Sequence, residues 1–315
     1  MNLKEEIMTK KITDEILATA FSKGKQVIPM GNVATYIPEL GKADKNALGL
    51  AIVTRDGEKY SVGDVKKRFT IQSISKAISL CVALETFGPD KVFEKVEMEP
   101  SGEAFNSIVE LDLQSNKPFN PMINSGALAV ERLIIDAYSF DDMLGMAKRL
   151  CMDPDITVDE SVFNSEMKTC SRNRAIGYLL ESKGIIEGRV EETLEFYTRM
   201  CSLSVTAESL ANFGLMLASD GVDLMTGKRS ISSETAQTVK TIMLTCGMYD
   251  GSGTFAVEVG MPTKSGVGGG LLSLADKKMG IGVYGPALDE KGNCIAGREM
   301  LKYLSKELGL HMFHS

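Results

Sequence analysis

The chain of 315 residues has a net charge of −7, with 43% hydrophobic and 24% charged residues. This length suffices for a large core, and the composition is typical of a globular protein. The acidic balance and the scattered basic residues argue against nucleic acid as a partner. No run approaches the ~18 apolar residues of a membrane-spanning helix, and the charged start lacks a secretory signal. We therefore expect a cytoplasmic protein without a membrane partner.

The first third of the chain predicts a helix, a hairpin and a second helix. Apolar residues at helical spacing predict a helix over residues 4–21. The apolar run at residues 47–54 is followed by an Asp-Gly turn and then by residues 59–62, which predicts two strands joined by that turn. Residues 73–87 lack glycine and proline and are apolar on nearly all sides. This pattern predicts a buried helix that begins at Ser73.

The middle and the end of the chain differ in pattern. Residues 90–240 consist of segments with helical periodicity joined by polar loops. Short apolar runs at 255–260, 270–278 and 279–288 are bounded by glycine, proline and charged turns, which predicts strands. Residues 296–308 carry leucines and a methionine on one face, which predicts a closing helix.

Strands at both ends of the chain around a helical middle indicate a mixed α/β (α+β) fold. We expect an antiparallel sheet covered by the N- and C-terminal helices, with an all-helical lobe inserted between the two sheet-forming parts. The whole chain, residues 1–315, then forms one catalytic domain. Its sheet-containing parts are expected at about 1–88 and 241–315, and its helical lobe at about 89–240.

A serine and a lysine three residues apart, Ser73 and Lys76, are the first candidates for chemistry. The only two histidines, His311 and His314, lie within the last five residues, so an interior histidine base is absent from the sequence. On a helix, positions i and i+3 share a face, and burial lowers the pKa of a lysine toward that of a general base. The same spacing also arises by chance in many helices.

Two glycine-rich stretches allow different readings. In residues 264–270 the glycines let the backbone approach a ligand, and the amide of Val267 could complete an oxyanion hole with Ser73; a plain hairpin is the alternative. Residues 280–285 match GxGxxG, but Pro286 follows where a dinucleotide site needs a helix. We expect a strand of small residues there.

Several polar residues are weaker candidates. Asn124 opens a predicted helix, where capping is the simplest role. Glu166 and Asn173 lie seven residues apart, two turns if the helix between them is continuous, and solvated side chains are the alternative. Three tyrosines are by residue type half-buried packing residues: Tyr36, Tyr197 and Tyr249.

The six cysteines are far apart and form no CxxC pair, and no Asp/Glu/His cluster has metal spacing. We expect reduced packing cysteines, no metal and no cofactor.

Six stretches, in this order along the chain, resemble the serine-dependent glutaminase family, which has the β-lactamase/transpeptidase fold. They are residues 31–40, 69–76, 120–127, 172–175, 249–253 and 264–270.

The resemblance implies hydrolysis of the side-chain amide of L-glutamine to glutamate and ammonia. By this resemblance Ser73 is the nucleophile, Lys76 activates it and Tyr249 assists proton transfer, while the amides of Ser73 and Val267 form the oxyanion hole. Self-association into dimers or tetramers is also implied. The positions that match the family's substrate-binding set are Tyr36, Ser73, Asn124, Glu166, Asn173, Tyr197, Tyr249 and Val267.

The chain departs from the family pattern at Cys170-Ser171, where Gly-Asp is usual, which affects the loop before Asn173. Two alternative functions remain at this point. One is another SxxK acyl-transfer enzyme, such as a β-lactamase or D-alanyl-D-alanine peptidase. The other is a non-catalytic module that senses an amino acid.

Overall fold

The computed structural model describes residues 11–101 and 117–314. Within these ranges the α-helices are α1 (Asp14–Val27), α2 (Ser75–Lys95), α3 (Asn124–Ile134), α4 (Phe140–Leu150), α5 (Glu160–Thr169), α6 (Ser171–Ser182), α7 (Val190–Cys201), α8 (Ala207–Ala218), α9 (Ser233–Cys246), α10 (Ser252–Glu258) and α11 (Ile295–Leu308). The strands are β1 (Gly49–Thr54), β2 (Lys59–Gly63), β3 (Phe69–Thr70), β4 (Thr157–Val158), β5 (Leu203–Val205), β6 (Thr263–Gly266), β7 (Gly270–Ala275) and β8 (Met279–Tyr284).

Five strands form an antiparallel sheet in the order β2-β1-β8-β7-β6. Strand β1, from the N-terminal part, pairs with β8 from the C-terminal part, so that Leu50 lies opposite Val283. A second, smaller sheet has the order β3-β5-β4. The prediction of an antiparallel sheet built from both ends of the chain is confirmed.

The terminal helices cover one face of the large sheet with bulky side chains. Leu17 of α1 and Leu301 of α11 are buried in one cluster with Leu50, Ile281 and Val283 of the sheet. Each strand residue in this cluster alternates with one that points to the opposite face, as the pleat requires. The predicted cover by the N- and C-terminal helices is confirmed.

Helix α8 covers the other face of the large sheet, and its backbone lies directly against the backbone of the strands. A Cβ at Gly282 would lie 1.9 Å from the carbonyl oxygen of Ala207, and one at Gly280 would lie 2.1 Å from that of Ala211. On the helix, a Cβ at Gly214 would lie 2.6 Å from the carbonyl oxygen of Ser273. The GxGxxG stretch is thus a strand of small residues, as predicted, and its first two glycines make room for a helix.

The middle of the chain holds most of the helices and also two short strands, β4 and β5, so it is not all-helical. Strand β5 pairs with β3, which places Val205 opposite Phe69, and the carbonyl of Leu203 accepts from the amide of Ile71 at 2.8 Å. Helix α9 runs through residue 240, the predicted boundary of the lobe. The division into a sheet part and a lobe therefore stays a prediction.

Two predicted boundaries differ at the N-terminal helix. Its first residues, 4–10, lie outside the described part of the chain, whereas residues 11–13 are not helical. Helix α1 begins after Thr13, whose side-chain oxygen accepts from the amide of Ile16 at 3.3 Å, and it continues to Val27. The threonine cap therefore fixes the start later than apolar spacing alone indicates.

The predicted strand at 255–260 is wrong, because residues 252–258 form helix α10. Alternating Phe255, Val257 and Val259 imitate a strand, yet Val257 is 79% exposed while the other two are buried. Phe255 and Val259 are four residues apart and share one helix face, which explains the misreading.

No helix in the described ranges is long and apolar enough to cross a membrane. All six cysteines fall within these ranges, and each is buried and unpaired. The same residues contain no group of three His, Cys, Asp or Glu side chains that could hold a metal ion.

Candidate active site

Ser73 lies in a tight turn between strand β3 and helix α2. The turn is a 3₁₀ helix over Gln72–Ile74, and the α-helix begins at Ser75, two residues later than the predicted start at Ser73. Gln72, directly before the serine, has a left-handed φ of 50°, a conformation that costs a non-glycine residue free energy. Ser73 is only 6% exposed. The strained backbone at Gln72 is typical of a segment that holds a neighbouring side chain, here that of Ser73, in one orientation.

Lys76 is buried in the first turn of α2, and its Nζ lies 3.2 Å from the Oγ of Ser73. The same nitrogen donates to the Oδ1 of Asn124 at 2.7 Å and to the carbonyl of Met122 at 3.3 Å. Burial lowers the pKa of Lys76 from 10.5 to about 8. The group next to the serine therefore loses its proton far more readily than an exposed lysine.

Tyr249 is a second side chain that contacts Ser73. It follows α9 in a short 3₁₀ turn with a left-handed φ of 55°, and it is buried. Its hydroxyl donates to the carbonyl of Ser265 at 3.2 Å. Burial raises the pKa of Tyr249 above its usual value, while its hydrogen bond with the Ser73 side chain lowers it. Lysine, tyrosine and serine thus form one connected polar centre.

Lys264 of strand β6 is a second fully buried lysine, and it supports the tyrosine. Its Nζ donates to the carbonyl of Ser265 at 2.7 Å and to that of Gly247 at 3.2 Å, and it lies 4.6 Å from the centre of the Tyr249 ring. Burial first, and then the charge of Lys76, holds the pKa of Lys264 well below its usual value. Sequence reasoning included Lys264 in a motif but gave it no role, although a lysine inside an apolar strand was a visible signal.

Val267 lies in the turn between β6 and β7, and glycines bring this turn against the serine segment. A Cβ at Gly266 would lie 2.6 Å from the carbonyl of Ile71, and one at Gly268 would lie 2.4 Å from that of Thr70. Only glycine permits this approach. The backbone of the Val267 turn therefore runs beside the segment that carries Ser73, as an oxyanion hole made of both amides requires.

Asn124 connects Lys76 to the helical part of the site. It is the first residue of α3, but its side chain does not cap the helix. Instead its Oδ1 accepts from Lys76 and, at 3.3 Å, from the hydroxyl of Tyr197, while its Nδ2 donates to the Oδ1 of Asn173 at 2.8 Å. Capping is therefore not its role. The chain Lys76–Asn124–Asn173 links α2, α3 and α6.

Glu166 is a buried carboxyl near the serine turn. Its Oε2 accepts from the Nε2 of Gln72 at 3.4 Å. Burial raises the pKa of Glu166 to about 7, against the lowering effects of Gln72 and Lys76. Glu166 and Asn173 lie on separate helices, because α5 ends at Thr169, Cys170 is not helical, and α6 begins at Ser171. Sequence reasoning missed Gln72.

Tyr36 lies at the edge of the site. The residue is 56% exposed, yet burial first, and then Tyr249 and Glu166, hold the pKa of its hydroxyl well above the usual value. It lines a surface cavity of about 600 Å³ together with Val267 and Gly292. Eight of the nine sequence-predicted site residues therefore lie in or directly beside the buried centre, and the ninth, Tyr36, lies at the opening next to Val267.

An antiparallel sheet joined to a helical segment, with a serine and a buried lysine at their junction, is typical of hydrolases with the β-lactamase-like fold. The chain belongs to the glutaminase family, whose model matches residues 31–313. It is 49% identical to the glutaminase of Clostridium botulinum over 95% of this chain and 100% of that one.

Two solved structures share the fold. One is "Probable glutaminase ybaS", with a TM-score of 0.90 at 36% identity over 96% of this chain and 100% of that chain. The other is the probable glutaminase from Bacillus subtilis complexed with 6-diazo-5-oxo-L-norleucine, with a TM-score of 0.86 at 36% identity over 96% of this chain and 98% of that chain.

Proposed function

We propose that this glutaminase hydrolyses the side-chain amide of L-glutamine through an acyl-enzyme on Ser73. The observation that carries this proposal is the contact of 3.2 Å between Lys76 Nζ and Ser73 Oγ, together with a lysine pKa of about 8. A neutral lysine at this distance accepts the serine proton. No cofactor or metal is needed for this chemistry.

In the first half-reaction Ser73 Oγ attacks the δ-carbon of glutamine, and its proton passes to Lys76. The oxyanion is stabilised by the amides of Ser73 and Val267. Tyr249, hydrogen-bonded to Ser73, relays a proton to the leaving nitrogen, and ammonia departs. Water then attacks the glutamyl ester, the same groups handle its proton, and glutamate is released.

The amino-acid end of the substrate is assigned to the helical side of the site. The carboxylate of Glu166 suits the α-ammonium group of glutamine, and amide and phenol donors suit the α-carboxylate. The proposed donors are Asn124, Asn173, Tyr197 and Tyr36. Because buried polar groups are left unpaired by a substrate that lacks the matching groups, we expect a narrow substrate range.

Replacement of the nucleophile tests this proposal. Ser73→Ala should lower ammonia release from glutamine by about 10⁶-fold, the loss typical of a removed serine nucleophile. Ser75→Ala is the matched control, because the Oγ of Ser75 makes only a weak contact, 3.7 Å, with the Sγ of Cys201. Undiminished turnover by Ser73→Ala would exclude the mechanism.

The alternatives predict other results. A β-lactamase or peptidase of this fold would be acylated by penicillin on Ser73, which mass spectrometry of the intact protein detects. A sensor would bind glutamine without ammonia release. By contrast, 6-diazo-5-oxo-L-norleucine has an amino-acid end and a ketone at the carbon where glutamine has its amide, so we expect a covalent adduct on the peptide that holds Ser73.

We further propose that the protein acts in the cytoplasm as a homo-oligomer, a dimer or tetramer, formed by one catalytic domain per chain. Six buried, unpaired cysteines suit a reducing compartment. Light scattering of the purified protein measures the oligomeric state, and a monomeric mass would contradict this part.

A further inference from the structure

A loop between β8 and α11, residues 289–293, closes on itself beside Tyr249. The residues on either side of it form a β-bridge, and the amide of Asp289 donates to the carbonyl of Asn293 at 2.8 Å. The carboxylate of Asp289 accepts from the amide of Lys291 at 3.0 Å and from that of Asn293 at 2.9 Å. These bonds give the loop a fixed shape of its own.

Two side chains of this loop hold the turn that carries Tyr249. The Nδ2 of Asn293 donates to the carbonyl of Met248 at 3.3 Å. The Nζ of Lys291 donates to the carbonyl of Asp250 at 3.0 Å. The carbonyls of the residues directly before and directly after the tyrosine are thus both bound to the same loop.

The backbone of the loop also lies close to the Tyr249 ring. A Cβ at Gly292 would lie 3.6 Å from the Cε2 of Tyr249 and 3.4 Å from the Cγ1 of Val267. The loop therefore connects the residue that is proposed to relay a proton with the turn that is proposed to bind the oxyanion.

The turn at Tyr249 depends on such support because its backbone is strained. Tyr249 has a left-handed φ of 55°, a conformation that persists in a non-glycine residue where surrounding contacts impose it. Within the turn, the Oγ of Ser252 accepts from the amide of Met248 at 3.0 Å and donates to the carbonyl of Tyr249 at 2.7 Å. The loop adds bonds to the two neighbouring carbonyls.

Asn293 contributes more to this support than Lys291. Asn293 is 3% exposed, so its bond to Met248 is shielded from water, whereas the Lys291 side chain is 47% exposed. A hydrogen bond in a dry environment is electrostatically stronger than one in water. The buried amide is therefore the main link between the loop and the Tyr249 turn.

We propose that Asn293 is a positioning residue, which holds the turn of Tyr249 so that the tyrosine hydroxyl stays in contact with Ser73. The inference rests on the proposed function, in which Tyr249 relays a proton. Tyr36, Val267 and Gly292 line the cavity of about 600 Å³, but Asn293 does not. Asn293 therefore affects proton transfer and not the binding of glutamine.

Asn293→Leu tests this role, because it removes the donor and keeps the approximate size of the side chain. Within the described residues the Oδ1 of Asn293 has no hydrogen-bond partner, so only the bond to Met248 is lost. The Met248 carbonyl still accepts from the amide of Gly251 at 3.0 Å, so the turn should loosen but remain folded. We expect kcat for glutamine to fall by about tenfold with an unchanged KM, since a displaced catalytic group slows the reaction without weakening binding.

The loss should depend on the tyrosine hydroxyl. In a Tyr249→Phe background, Asn293→Leu should lower kcat by at most about twofold, because the group that it positions is absent. Asn212→Leu on α8 is the matched control, since the Nδ2 of Asn212 also donates to a backbone carbonyl, that of Cys151, at 3.3 Å.

Asn293→Asp adds a test by pH. A carboxyl group donates to the Met248 carbonyl only when it is protonated, and burial raises its pKa. The activity of Asn293→Asp relative to the wild type should therefore increase as the pH falls from about 8 to about 6, whereas that of Asn293→Leu should stay constant. The same pH dependence in both variants would overturn donation to Met248 as the cause.

If Asn293→Leu fails to fold, Lys291→Met at the surface removes the other bond to the turn and should show the same dependence on Tyr249. An unchanged kcat, an equal loss in the Tyr249→Phe background, or a raised KM alone would overturn the positioning role. Absence of ammonia release by the wild type, or full activity of Tyr249→Phe, is a separate result, since it refutes the proposed function itself.

Discussion

Two buried lysines, Lys76 over the ring of Tyr197 and Lys264 over the ring of Tyr249, show how similar burial leads to different contacts. Lys76 is 2% exposed and Lys264 is 0% exposed, and both donate only to neutral oxygens. Burial lowers the pKa of each. Lys76, however, contacts the Ser73 side chain, whereas Lys264 contacts backbone carbonyls and the face of the Tyr249 ring. A lowered pKa alone therefore does not single out the proposed base; its contact with the proposed nucleophile, Ser73, does.

Removal of Lys76 should give the largest effect in this comparison. Lys76→Met keeps the length and the apolar part of the side chain but removes the base, so kcat for glutamine should fall by about 10³- to 10⁴-fold. Steady-state ammonia release measures it. A variant that retains a tenth of the activity would transfer the role of base to Tyr249.

Removal of Lys264 should cost less, about 10- to 100-fold in kcat, because it acts only by positioning the tyrosine. The KM for glutamine should stay the same. A double-mutant cycle sharpens the comparison: since Lys264 acts through Tyr249, Lys264→Met combined with Tyr249→Phe should be no slower than Tyr249→Phe alone. Additive losses, or a fall in Tm without this coupling, would reduce Lys264 to a structural residue.

The smallest effect is expected from pH, about tenfold in kcat/KM between pH 8 and pH 7. As pH rises through about 8, Lys76 becomes the neutral base, and as it rises through about 7, Glu166 becomes the carboxylate that suits an ammonium group. Both changes increase activity in the same direction, so the ascending limb should involve two protons.

Glu166→Gln should leave a slower enzyme with a one-proton limb near pH 8. Profiles of kcat/KM against pH at constant ionic strength distinguish the two-proton limb of the wild type from the one-proton limb of Glu166→Gln. A limb centred near 10.5, the usual lysine value, would show that burial does not set the pKa of Lys76.

The sequence alone predicted the antiparallel sheet with its covering helices, and it predicted that Ser73 and Lys76 lie together. Ser73 and Lys76 are three residues apart, so local geometry alone brings them together, and the apolar segment that follows predicts burial. Lys264 could not be assigned a role, because only the fold brings the carbonyl of Gly247 and the ring of Tyr249 to its side chain. Gln72 was missed for a similar reason, since its contact with Glu166 spans 94 positions.

Other misreadings arose where a local pattern fits two structures. The alternation at 255–260 suits a strand, but packing of Phe255 and Val259 on one side makes it a helix. The position of Asn124 at the start of a helix is compatible with capping. Its Oδ1 instead accepts from Lys76, because a buried ammonium group without an acceptor costs free energy. In both places the tertiary environment decided between two locally permitted structures.

The contact of α8 with β8 has a consequence for the geometry of catalysis. From its N-terminal end the chain leads back through β5 and β3 to Ser73, and from its strand contact the sheet leads through β7 and β6 to Val267. One helix is thus connected to both segments, Ser73 and Val267, whose amides form the proposed oxyanion hole. A single methyl group at Gly282 would shift that helix and change the distance between two amides that it never touches.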